Sequence, residues 1–230
     1  MPAIAFDGAV DETALLRASL GELGVSALTE LDFALYEARD DAGFVKSLDP
    51  AAIEALRGAG LVHYSNGEPV LIASPSFWKF RDSVADVIAG LVQPQADLAS
   101  VSQGLWEIER TIRKSLRGAA IEAHGAKWRK NLFNETLAKA VLERARVDVN
   151  ATALNVSELR DPIEWLSLGE LLEVVQSKKY DGLFWDNIAW RRFAQDVLPI
   201  RNRLSHMRLL KKGDTATVHM WLNRIVSASK

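Results

Sequence analysis

The sequence predicts a mainly α protein, a C-terminal helical bundle preceded by a small winged-helix-like module with one β-hairpin. Three observations predict it. Apolar residues recur at steps of three and four along most of the chain after Ser76, the spacing that lines one face of an α-helix. A single hairpin signal stands at 61–74, LVHYSNGEPVLIAS, where two apolar runs flank Asn66-Gly67, a pair that accepts positive φ at both central turn positions. The 230 residues are 48% hydrophobic, enough for a sizeable core. The expected organisation is an acidic winged-helix-like module over 1–75, a connecting helix over 76–97 and the helical domain over 98–230.

Residues 11–60 read as three short helices. The third is the clearest, with Asp49 as N-cap, Pro50 at the first helical position and Gly58 or Gly60 as the stop. Helices followed by a hairpin is the order of a winged helix, yet the would-be recognition helix has Arg57 as its only cation. The phosphate neutralisation that supports DNA affinity is missing, so a protein-contact or dimer-shaping role is favoured over DNA binding by a winged-helix regulator. Next, Phe77, Phe80, Val84, Val87, Ile88 and Leu91 form a stripe that Pro94 ends. Residues 97–117 place Leu98, Val101, Leu105, Ile108, Ile112 and Leu116 on one face, with Glu107, Arg110, Arg113, Lys114 and Arg117 off it. The pattern continues over 119–146 through Trp128, Leu132, Leu137, Val141 and Leu142, then loses its period over 147–159, an irregular crossover.

Ser167 and Glu170 have the S-x-x-E spacing of a capping box, which predicts a helix from Leu168 to about Ser177, broken by KKYDGLFWDN. A long helix follows from Asn187 to Lys211 with the stripe Phe193, Val197, Ile200, Leu204 and Met207, kinked or restarted at Pro199. Gly213 and Asp214 close it and cap a last helix with Val218, Trp221, Leu222 and Ile225 inside. Trp106, Trp128, Trp165 and Trp185 adjoin apolar periodic positions and read as core.

The net charge of −2 hides an asymmetry. Residues 1–80 carry 5 Lys and Arg against 12 Asp and Glu, net −7, whereas residues 81–230 carry 23 against 18, net +5. The basic half suits a polyanion such as RNA, and the acidic half a protein partner. No run of eighteen apolar residues and no signal-peptide pattern is present, so the expectation is a soluble cytoplasmic protein without a membrane partner. The absence of cysteine excludes disulfides and thiolate metal ligands, and His63, His124, His206 and His219 lack a paired ligand spacing. Neither a metal nor a cofactor is expected.

The stretch PIRNRLSH at 199–206 concentrates the chemistry. On a straight helix Asn202 and His206 are i, i+4 and share one face, while Arg201 and Arg208, seven apart, share another. Arg201 and His206 then stand about 140° apart and cannot meet on one small atom from a single helix. They can flank a groove, or converge if a second copy faces the first. An imidazole exchanges protons near neutral pH and a guanidinium offers a fork of donors that matches phosphate. Together they suffice to cleave RNA without metal, with a base for the ribose 2′-OH, an acid for the leaving 5′-oxygen and cations for the charge on phosphorus. Arg191, Arg192, Arg203, Arg208, Lys211 and Lys212 extend this basic surface as candidate RNA contacts.

Arg201-Asn202-Arg203-Leu204-Ser205-His206 resembles the R-x4-H signature, often R-N-x-x-x-H, of the HEPN superfamily of small all-α domains. The helix LWEIERTIRKSL, the element WLSLGELLEVV and the helix FAQDVLPIRNRLSHMRLL resemble the order in HEPN domains of abortive-infection and toxin type, over roughly residues 98–226. The resemblance implies a bundle that dimerises through the motif helix and a metal-independent endoribonuclease in which both subunits line one cleft. It assigns His206 as general acid/base, Arg201 as the phosphate and transition-state contact, and Asn202 as the orienting polar residue. It also implies noncatalytic RNA-binding or protein-interaction relatives. In HEPN toxins paired with a nucleotidyltransferase antitoxin a tyrosine stands two residues after the histidine. Here that position is Arg208, so modification of that tyrosine has no counterpart; an antitoxin or other protein partner would engage the acidic N-terminal module.

Overall fold

A computed structural model of the chain describes residues 12–38, 41–71, 77–91, 95–149, 152–180 and 182–229. The chain divides into two compact units, Met1–Ala96 with Leu209–Lys212, and Asp97–Arg208 with Gly213–Lys230. The described residues are mainly helical, with one two-stranded antiparallel hairpin.

In the first unit α1 (Glu12–Gly21), α2 (Val25–Glu37), α3 (Asp41–Ser47) and α4 (Pro50–Gly58) precede β1 (Val62–Ser65), β2 (Glu68–Leu71) and α5 (Phe77–Ala89). Four helices thus occupy the stretch expected to hold three, with Gly24 standing as N-cap where α2 begins. Leu20, Leu28, Leu31, Phe44, Leu56, Phe80 and Val84 form the buried centre, and the rings of Phe44 and Phe80 lie 5.5 Å apart. The helix expected to act as a connector is α5, and it packs against α1 and α2 inside this unit. Pro94 lies outside the described residues.

Local chemistry accounts for the ends of these elements. The Asp49 carboxylate accepts from the Ala52 amide at 2.8 Å, the N-cap bond that its position before Pro50 predicts. The other end of α4 is a Schellman motif: Gly60, at φ +73°, lets Leu61 N–H reach Leu56 O at 2.8 Å and Gly60 N–H reach Arg57 O at 3.0 Å. Leu56 and Leu61, the pair that usually makes the accompanying apolar contact, are both buried. In the hairpin Asn66 and Gly67 take φ of 51° and 83°, the two positive values of a type I′ turn, which sets the register Ser65 opposite Glu68.

Residues 209–212 belong to this unit through specific contacts. The Leu210 amide donates to Gln95 Oε1 at 2.6 Å, and Gln95 Nε2 donates to Leu210 O at 3.3 Å and Thr29 Oγ1 at 3.2 Å. Lys211 Nζ stands 4.4 Å from the centre of the Phe33 ring, and Lys212 pairs with Asp49.

The second unit is built from α6 (Leu98–His124), α7 (Trp128–Asn131), α8 (Glu135–Val149), α9 (Leu168–Val175), α10 (Asn187–Ser205) and α11 (Asp214–Ala228). Val101, Leu105, Ile108, Ile112 and Leu116 bury one face of α6, as their spacing predicts. α6 runs against α11, and at their close approach Gly104 has no room for a side chain, because a Cβ there would lie 2.6 Å from Val218 Cγ1. Ser100 and His219 hydrogen-bond across the same pair of helices at 3.1 Å. The pattern expected to run through 119–146 is interrupted at Gly125, which takes φ +52°, and restarts where Asn134 accepts from the Leu137 amide at 2.8 Å. The crossover contains 3-10 turns at Val156–Glu158 and Pro162–Trp165.

Two expectations about α6 are corrected. Arg113, placed off the apolar stripe, is buried; it pairs with Glu109 at 2.9 Å and donates to the Leu166 carbonyl at 2.7 Å. Trp106, read as core, is 64% exposed, because its position faces away from the helices packed on α6. Trp128 is buried, whereas Trp165 and Trp185 are half-buried.

Candidate functional site

The motif lies at the end of α10. Asp186 caps the start by accepting from the Ala189 amide at 2.8 Å, and Trp190, Phe193, Val197 and Ile200 bury one face. Pro199 lies within the helix and is exposed, where its missing N–H costs one ladder bond. The opposite edge carries Ile188, Arg192, Gln195, Pro199, Asn202 and His206 at steps of three and four, and each of these is exposed.

α10 ends at Ser205 rather than Lys211. His206 is the C-cap, its N–H donating to Asn202 O at 3.1 Å, and Met207 turns the chain with φ +53°. Arg208 N–H reaches Arg203 O at 2.8 Å and Met207 N–H reaches Leu204 O at 3.1 Å, a second Schellman motif. Here the left-handed position is held by methionine, a residue with a Cβ penalty there, and Met207 is 86% exposed instead of joining the apolar stripe. The proposed pairing of Arg201 with Arg208 on one helical face therefore does not form, since Arg208 follows the chain reversal.

The candidate residues have distinct surroundings. Asn202 and His206 sit one turn apart on the exposed edge, and among the described residues neither side chain has a hydrogen-bonding partner. Arg201 is half-buried in the last turn, with Nη1 3.4 Å from Ser205 Oγ, and Ser205 Oγ donates to Asn202 O at 3.1 Å. Arg203, in contrast, is held by Asp214 through Nη2 at 2.7 Å and 2.8 Å and Nε at 3.1 Å, with only 15% and 8% of the two side chains exposed. Asp214 thus anchors Arg203 instead of capping α11, whose N-cap is Gly213.

The surrounding cations divide similarly. Arg208 is exposed and its side chain has no partner among the described residues. Arg191 donates to Asn187 O at 3.2 Å, and Arg192 pairs with Asp196 at 3.2 Å. Lys211 lies over Phe33 and Lys212 pairs with Asp49, both in the first unit.

Other charged groups hold the fold. A cavity of about 490 Å³ is lined by Glu158, Arg160, Asp161, Glu164 and Trp165, among others. Its carboxylates are engaged: Arg110 meets Glu164 at 2.6 Å, Arg117 meets Asp161 and Glu164, and Glu158 accepts from the Leu154 amide at 2.8 Å. Arg144 binds both oxygens of Glu170, at 2.8 Å and 3.0 Å, and the Trp165 carbonyl. Four arginines of α6 and α8 therefore fasten the 161–170 segment, a role that the surface-like spacing of these residues conceals. Among the described residues no three His, Cys, Asp or Glu side chains converge on a possible metal position, and no helix is long and apolar enough to cross a membrane.

No protein-family model, curated protein or solved structure matches this chain.

Proposed function

We propose that the protein is a metal-independent endoribonuclease of the HEPN type, acting as a homodimer in a cytoplasmic defence or toxin context. The observation that carries this reading is the exposed end of α10, where Asn202 and His206 share an uncovered edge and Arg201 flanks it, all in the R-N-x-x-x-H order. Buried apolar residues on the opposite face hold the helix, so these polar groups are presented by a rigid element. Two such edges facing across a two-fold axis supply what one lacks, an imidazole and a guanidinium from different sides of one phosphate.

In this reading the imidazole of His206 takes the proton of a ribose 2′-OH as that oxygen attacks phosphorus. The P–O5′ bond breaks, and the second subunit's imidazolium donates the proton to the departing 5′-oxygen. The products are a 2′,3′-cyclic phosphate and a 5′-hydroxyl. Arg201 balances the charge that gathers on the non-bridging oxygens, and Asn202 orients the phosphate through its amide. Incubation with total RNA in EDTA, followed by analysis of the new ends, tests it. The expected outcome is cyclic-phosphate ends, with a rate reduced about 10²- to 10⁴-fold by His206→Ala; cleavage unchanged by that substitution overturns the reading.

A noncatalytic RNA-binding or protein-interaction module is the second reading. It is favoured by the largely buried pairing of Arg203 with Asp214, which takes one candidate guanidinium away from phosphate. It predicts RNA bound with salt-dependent affinity and recovered intact. The acidic first unit serves in either case as the surface for a protein partner, since Arg57, the lone cation of α4, is itself paired with Glu54 at 2.8 Å.

A further inference from the structure

A second feature of the same unit lies just before α10. The Trp185 amide donates back to Leu183 O at 2.9 Å, and Phe184 between them takes φ +64°. This is the pattern of a γ-turn with positive φ, uncommon for any residue with a side chain and strained for a bulky one. The turn is locked from inside, because Leu183 O also accepts from the indole nitrogen of Trp190 at 3.0 Å and Trp190 is buried. Its consequence is to leave Phe184 and Trp185 half-buried at the surface, although apolar neighbours surround them.

Those neighbours form a stack. The Trp185 ring centre lies 4.9 Å from that of Trp190 and 5.4 Å from that of Trp221. The Arg224 guanidinium sits 4.5 Å above the Trp221 ring, and the Trp221 indole nitrogen donates to Asp196 Oδ2 at 3.1 Å, the oxygen that Arg192 also contacts. Arg191, Arg192 and Arg224 are all exposed. Among the described residues, Asp186 caps α10 and Asp196 accepts from Trp221 and Arg192. Half-buried aromatic rings, with exposed guanidinium groups on the adjoining helices α10 and α11, complement a chain of bases and phosphates better than an acidic or purely apolar partner.

We propose that Phe184 and Trp185 form a stacking subsite for an unpaired base, placed on a single-stranded RNA whose backbone follows Arg191 and Arg192 along α10 toward His206. This rests on the ribonuclease reading for its substrate and names the class, single-stranded rather than duplex RNA. The 19 residues of α10 separate the turn from the motif by about 28 Å, so the strand spans several nucleotides.

The test uses the intact protein and a fluorescein-labelled 2′-O-methyl oligouridine of about 12 nucleotides, long enough to reach along α10 from the turn to the motif. This probe lacks the attacking hydroxyl and survives intact. Anisotropy titrations compare wild type, Trp185→Ala and Phe184→Gly, with a 2′-O-methyl RNA duplex of equal length as competitor. Phe184→Gly removes a ring while relieving the positive φ, so the protein is expected to stay folded while its affinity falls about 5- to 100-fold. Single strand is expected to outcompete duplex. Wild-type affinity in a folded Phe184→Gly protein, or preference for duplex, overturns the subsite and leaves the ribonuclease reading standing. The absence of oligouridine binding by wild type overturns the subsite as well, and the cleavage assay in EDTA judges the ribonuclease reading separately.

Discussion

Arg203 and Asp214 face each other across the reversal that carries His206, joined by a two-point ion pair with Nη2–Oδ1 at 2.7 Å and Nε–Oδ2 at 3.1 Å. The guanidinium that the sequence offers as an RNA contact is thus the clasp of the loop behind the motif. Removing either partner leaves a largely buried charge, and Asp214→Ala is expected to cost about 3–5 kcal/mol. Urea unfolding measures this, and Arg203→Ala/Asp214→Ala together are expected to cost less than the sum of the two single changes.

Met207 occupies the left-handed position that Gly60 occupies in the equivalent motif of α4. With the Cβ penalty removed, Met207→Gly is expected to stabilise the protein by about 1 kcal/mol, while Gly60→Ala is expected to destabilise it by a similar amount. Parallel thermal melts read both signs. A loss of stability in Met207→Gly would show that the exposed methionine has an unrecognised contact.

Gly104→Ala brings a methyl group against Val218 Cγ1, and valine in a helix has one strongly preferred rotamer with which to yield. Overpacking is expected to outweigh the helix-propensity gain of alanine and to destabilise by about 1–2 kcal/mol. Val218→Ala in the same protein is expected to offset part of that loss. The coupling in a double-mutant cycle is the measurement.

The Glu170 carboxyl is penalised by burial, but hydrogen bonds from Arg144 and from Ser167 outweigh this and hold it below the usual glutamate range. A depressed folded value means stability that is present above the unfolded pKa, near 4.3, and lost as pH falls through the lower folded one. Arg144→Gln is therefore expected to destabilise at pH 7 by about 1–2 kcal/mol. The difference from wild type is expected to shrink as the pH falls below about 4. Urea midpoints across that range decide it; a difference that stays constant with pH rules out the ionic origin.

Where the determinants were local, the sequence already contained the answer. Asp49 before Pro50, Asn66-Gly67 between apolar runs and the Ser167/Glu170 box each act within a few residues, and each forms in the structure with the bonds its spacing predicts. The apolar period of α6 likewise reported its buried face. The placement of Arg201 and Asn202 in the last turns of one helix, with His206 at its end, was legible for the same reason.

What tertiary structure alone decided are the partners of charges and the place where a helix stops. Periodicity cannot distinguish an arginine in water from one buried against a carbonyl, because both lie off the apolar stripe; Arg113, Arg144 and Arg203 found acceptors 53, 26 and 11 residues away. Nor did the stripe through Leu204 and Met207 foresee a chain reversal at a residue that disfavours it. The chain on either side of that reversal is fastened, Arg203 before it to Asp214 and Leu210 after it to Gln95. These contacts lie outside any local pattern, and with them His206 stands at an exposed terminus rather than within a longer rod.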